Sequence, residues 1–99
     1  MTTQVETGDV YLLGGRYGYG NKAVIRFDVE TNTYTRLGDM NKQRGISACT
    51  VFKSEKHEGR EVIYVGGGSE ANKASILDYT QTETWEEGKL FINAYNFLI

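Results

Sequence analysis

The sequence predicts an all-β protein of two four-stranded antiparallel sheets, and three observations carry that prediction. An apolar strand running into glycines occurs twice, as Val10-Tyr11-Leu12-Leu13-Gly14-Gly15 and as Ile63-Tyr64-Val65-Gly66-Gly67-Gly68, with Tyr11 and Tyr64 53 positions apart. Further along each copy, Asn21-Lys22-Ala23 recurs as Asn72-Lys73-Ala74 and Thr33-Tyr34 is answered by Thr84-Trp85, both at 51 positions. Between these marks lie short β-branched and aromatic runs bounded by glycine, asparagine and aspartate, with no 3.6-residue periodicity. A period near fifty made of strands and glycine turns marks a propeller blade. Propellers close with about four to eight blades, so two repeats in 99 residues predict an incomplete ring, a part of a longer propeller.

The elements follow in order. Thr2 to Val5 is expected as a short strand, partial as an inner strand, and Gly8-Asp9 as the turn after it. Val10 to Leu13 is apolar without alternation, which suits a strand buried on both faces, and Gly14-Gly15 ends it. A loop of glycine and tyrosine, Arg16 to Lys22, leads to the strand Ala23 to Asp28; Glu30-Thr31-Asn32 turns the chain. Thr33 to Leu37 alternates as an outer strand wet on one face, and Gly38-Asp39 closes the unit. Met40 to Arg44 reads as a polar connection, Ile46 to Phe52 as the inner strand of the second unit, and Lys53 to Arg60 as a charged, solvated hairpin connection. Glu61 to Val65 and Ala74 to Leu77 repeat the middle strands, with a threonine-rich strand next. The two-residue shortening from 53 to 51 falls in the loop after the glycines, and the spacing of Asp78-Tyr79 predicts a bulge or slip. The units divide as residues 1–39, 40–88 and an apolar tail strand at 89–99, the start of a further unit.

Charge removes some functions. The net charge is −2, so there is no basic field to collect phosphates, and nucleic acid is not an expected partner. Neither a signal-peptide core nor an apolar run of membrane-spanning length is present, so no membrane role is expected. The single cysteine, Cys49, rules out an internal disulfide framework and slightly favours a cytoplasmic setting.

Tyr11 with Gly14-Gly15, Phe27-Asp28, Thr33-Tyr34, Leu37, Met40 and Arg44, followed by Tyr64, Gly67-Gly68, Thr84 and Trp85, together resemble two kelch repeats. That resemblance implies two four-stranded antiparallel blades of a kelch-type β-propeller, each starting at its inner strand. It also implies that Tyr34 and Trp85 fill the space between adjacent sheets and that Arg44 is a structural arginine. No Met and Arg pair follows Trp85, so a regular third repeat is not expected before the tail.

Chemistry is sparse. Gly66-Gly67-Gly68-Ser69-Glu70-Ala71 has the outline of a dinucleotide fingerprint, but that motif needs a helix after it to hold pyrophosphate, and a strand is expected instead. His57, the only histidine, sits in the charged loop and reads as a solvated surface residue. It has no companion ligands at metal spacing, and no Ser, His and Asp set follows from it. Cys49 reads as a small packing residue. No cofactor and no metal are expected.

Protein binding fits better. Tyr17 and Tyr19 offer contact area at low entropic cost, and Arg16 can pair bidentately with a carboxylate. The other reading of these tyrosines is that they fold back on the neighbouring blade. In a meander the loops after the second and fourth strands share one rim, which gathers Arg16, Tyr17, Tyr19, Asn21, Lys22, Glu70, Asn72 and Lys73; Lys53 to Arg60 belongs to the opposite rim. The expectation is therefore a non-catalytic interaction module. By resemblance its partners are ubiquitin-ligase substrates or cytoskeletal proteins, with self-association through exposed blade faces. The alternative is the blades of a galactose-oxidase-like enzyme whose catalytic residues lie outside this chain. A third expectation is purely structural, two blades that complete a larger ring.

Overall fold

A computed structural model of the chain describes residues 1–15, 22–42, 48–66 and 73–89. The first sheet contains β1 (Thr2–Gln4), β2 (Val10–Leu13), β3 (Val24–Asp28) and β4 (Thr33–Arg36) in that order. The second contains β5 (Ala48–Ser54), β6 (Arg60–Gly66), β7 (Lys73–Leu77) and β8 (Glu86–Lys89), also in chain order. Every neighbouring pair is antiparallel. The protein is thus all-β, two meanders of four strands, as the repeat predicts. The one helical segment among the described residues is a 3-10 turn at Glu55–His57; no helix there is long and apolar enough to cross a membrane.

Local chemistry sets the turns. Gly14 has φ +61°, a left-handed conformation open to glycine, and its N–H donates to the Ala23 carbonyl at 2.8 Å, so the chain leaves β2 here. The Asp28 carboxylate accepts from the backbone N–H groups of Glu30 and Thr31 at 2.9 and 3.2 Å and caps the β3–β4 turn. In the second sheet the equivalent turn is closed by the Asp78 backbone carbonyl, which accepts from Gln81 and Thr82.

Ladder register corrects the repeat alignment. Val10 pairs with Phe27 and Ile63 pairs with Leu77, so with Tyr11 matched to Tyr64 the third strands are offset by 50 positions (27 to 77), not 51. Phe27 pairs with Tyr34 in the first sheet, and in the second the ladder Ile76 to Glu86 sets Trp85 opposite Leu77. The loop after the glycines is therefore three residues shorter in the second unit. The following turn is one residue longer, so the extra residue expected as a bulge or slip is taken up in the turn. The second Asn-Lys-Ala match is a coincidence one residue out of register. Thr80, Thr82 and Thr84 lie in that turn, not in a strand, because β8 begins only at Glu86.

Cross-strand partners share a face, and this places the core. Tyr11, Leu13 and Val24 of the first sheet meet Ile63, Val65 and Leu77 of the second, joined by Val5, Leu37, Met40 and Trp85. Trp85 fills the space between sheets as expected, 6% exposed, and its indole Nε1 has no hydrogen-bond partner among the described residues. Tyr34 does not: it is 66% exposed. It stands on the opposite face of the first sheet with Val10, Leu12, Ile25 and Phe27, stacked at 4.6 Å on the Phe27 ring. For the same reason Val10 and Leu12 are only half-buried and all of β4 is exposed, not wet on one face.

Candidate functional site

Two rims follow from the meanders. At the first lie the ends of β2, β4 and β6 and the starts of β3 and β7. Of the residues expected there, Arg16, Tyr17, Tyr19, Asn21, Glu70 and Asn72 lie outside the described residues, as do Arg44, Gly67, Gly68 and the tail beyond Lys89. Lys22 and Lys73 are described. The Met40 N–H donates to the Lys22 carbonyl at 2.8 Å, which ties the connection after β4 to the start of β3. Asn41 accepts a hydrogen bond from the Ser75 hydroxyl. Glu87 on β8 faces two ammonium groups, Lys42 at 3.7 Å and Lys73 at 3.6 Å. A lysine of the connection between the sheets and one of β7 thus share this rim with one carboxylate between them.

The opposite rim holds a denser network that the sequence reading missed. Arg60 reaches Asp78 through Nε and Nη2, at 2.8 Å for the shortest contact, and Glu58 through Nη1 at 3.2 Å. Glu61 accepts from the Glu6 N–H and the Tyr79 hydroxyl, both at 2.7 Å, which bridges the β1–β2 turn of one sheet to the other sheet. Lys53 lies 3.4 Å from Glu6. The Tyr11 and Tyr79 rings sit 5.8 Å apart across the junction. Burial, then the hydrogen bond to Glu61 and its negative charge, push the Tyr79 phenol well above the usual tyrosine range; burial does the same, to a smaller degree, for Tyr11. Between these side chains lies a cleft of about 270 Å³ lined by Glu6, Thr7, Lys53, Gly59, Arg60, Glu61, Tyr79 and Thr80.

The hairpin at this rim is exposed at Lys53, Glu55, Lys56, Glu58 and Gly59, as expected of a solvated connection, but two of its side chains turn inward. Ser54 is buried, and the His57 side chain is 11% exposed, with Nδ1 at 2.7 Å from the Ser54 hydroxyl and Nε2 on the Glu86 carboxylate. The 3-10 turn brings Ser54 and His57, three residues apart, onto one side, where β8 supplies Glu86. Sequence gave no sign of this set because Glu86 lies 29 residues from His57. The set resembles a hydrolytic triad only in residue types. With Ser54 buried, at 8% exposed, the three residues brace the hairpin against the edge strand.

Cys49 sits on the face toward the first sheet, its Sγ 3.5 Å from the Thr2 carbonyl, and burial pushes its thiol up from the ordinary value. Among the described residues no group of three or more His, Cys, Asp or Glu side chains could hold a metal ion. Of the fingerprint-like stretch only Gly66 is described, and the next described element is β7, a strand.

Comparison with known proteins gives a consistent relation. The chain is 35% identical over 78 residues to Kelch-like protein 25 of Rattus norvegicus and to that of Mus musculus, and 33% identical over 78 residues to that of Homo sapiens. Each match takes in 77% of this chain and 12% of the relative's length. No family model matches the chain, and no solved structure matches it. The similarity supports the kelch family, and with two four-stranded antiparallel sheets it supports kelch-type propeller blades.

Proposed function

We infer that this chain is a kelch-repeat segment whose two sheets are adjacent blades, and that it works as a non-catalytic module that binds a protein partner through loops of one propeller rim. The observation that carries the reading is the meeting of both blades at the first rim, where Lys42 of the connection after β4 and Lys73 of β7 face the same Glu87. Connections at the end of a sheet scaffold are where recognition residues are commonly displayed. Arg16, Tyr17, Tyr19, Asn21, Lys22, Glu70, Asn72 and Lys73 are assigned to this surface. Similarity to Kelch-like proteins supports a protein partner; a ubiquitin-ligase substrate or a cytoskeletal protein is the class the family resemblance favours.

The test is affinity capture with the tagged chain, read by mass spectrometry, against the double variant Arg16→Ala with Tyr19→Ala. Capture of a partner by the parent and its loss in the variant, with an unchanged circular dichroism spectrum, is the expected result. Equal capture by both would remove the assignment to this rim.

A further inference from the structure

We propose that the cleft on the opposite rim, between the β1–β2 turn and the second sheet, is a docking pocket for an arginine side chain of a protein partner. Its volume, about 270 Å³, lies just below the roughly 300–1,000 Å³ of sites that enclose a whole drug-sized ligand. It suits one long side chain.

The charges in its wall are unevenly matched. Arg60 is held by Asp78 and Glu58, and the Lys53 ammonium by Glu6. Glu61 stands opposite Lys53 on the β5–β6 ladder, yet its Oε1 accepts only from neutral donors, the Glu6 N–H and the Tyr79 O–H. Its Oε2 has no partner among the described residues, and neither has Oε1 of Glu6. Glu6 and Glu61, each with one carboxylate oxygen unpartnered among the described residues, thus belong to the lining of a cleft that also includes Tyr79.

A planar guanidinium can engage two carboxylate oxygens through paired N–H groups while resting on an aromatic face; an ammonium offers a compact charge without that fork. The Tyr79 hydroxyl, committed to Glu61, holds the carboxylate in place for the incoming group. The pocket belongs to the rim formed by the β1–β2 turn, the β5–β6 hairpin and Tyr79, so it is separate from the loops assigned to partner binding above.

The experiment titrates the complete chain with the blocked peptide acetyl-Gly-Arg-Gly-amide and follows the backbone amide resonances of Glu6 and Glu61. Saturable shifts are expected, weakened about tenfold when citrulline replaces the peptide arginine, or when Glu61→Gln removes the charge but keeps an acceptor for both donors, a loss typical of one charge-assisted hydrogen bond. Lys53→Ala, which frees Glu6, should tighten binding. The double variant Arg16→Ala with Tyr19→Ala should leave binding unchanged, so failure on the first rim and failure on this one are told apart. Shifts that do not saturate, equal response to the citrulline peptide or to acetyl-Gly-Lys-Gly-amide, or an unaffected Glu61→Gln variant would overturn the proposal.

Discussion

Tyr34 and Trp85 occupy the same slot of the repeat, beside β-ladder partners Phe27 and Leu77, yet one is 66% exposed and the other 6%. The slot points the same way in both sheets. What differs is the presence of a facing sheet: Trp85 belongs to the core cluster shared with Leu13, Val24, Leu37 and Met40, while Tyr34 shares the uncovered face of the first sheet with Val10, Leu12, Ile25 and Phe27. An aromatic residue in a repeat thus acquires its energy from the next unit along, which is the one-dimensional logic of repeat proteins.

The largest expected effect sharpens that contrast directly. Trp85→Ala should cost about 3–5 kcal/mol through lost burial and the cavity left between the sheets. Tyr34→Ala should cost within about 1 kcal/mol, since its main contact is the Phe27 ring. Chemical denaturation monitored by circular dichroism would measure both, and similar losses would break the comparison.

A second pair is Asp28 and Asp78, equivalent by the 50-position register. The Asp28 carboxylate caps its own exposed turn, whereas that of Asp78 is buried and takes a bidentate arginine. Asp78→Asn should lower the denaturation midpoint more than Asp28→Asn, because the former leaves a partly buried guanidinium with half of its acceptor charge removed. Equal shifts would place the weight of the two turns in their backbone bonds alone.

Alkaline pH should weaken the junction between sheets. Tyr79 and Tyr11 hold their phenolic protons more tightly in the folded chain, so their contribution is whole below about pH 10 and falls as pH rises through the raised folded-state values. Cys49 adds the same sign of loss above about pH 8.5. Tyr79→Phe should flatten the alkaline decline in a pH series of melting temperatures, and an unchanged slope would assign the decline elsewhere. The smallest effect is expected at the exposed pair Arg36 and Asp39, 2.9 Å apart. Asp39→Ala should shift stability by about 0–1 kcal/mol, less in high salt.

The twice-occurring strand and glycine pattern made the fold legible: period-2 pairing, turn residues at fixed offsets and Gly14 at a left-handed position depend on near neighbours in the chain. Register was less legible. The Asn-Lys-Ala match pointed to 51 where the ladder has 50, because loop length and turn length can compensate along a sequence and only the hydrogen-bond pairing separates them. Among the candidate residues, the lysines Lys22 and Lys73 could be placed on one rim from strand alternation alone. The Glu61, Tyr79 and Glu6 bridge could not, because its members span 73 positions of sequence, from 6 to 79, and carry no spacing signal.

The amino-acid sequence by itself determined the two-unit repeat, its antiparallel meander and the residues of its main turns, since these follow from local backbone geometry and turn chemistry. Tertiary structure alone decided which of two equivalent faces is covered, that His57 is braced between Ser54 and Glu86, and that charges from both sheets enclose a cleft. Burial and charge pairing arise between residues far apart in the chain, and only the packed sheets bring them within contact distance.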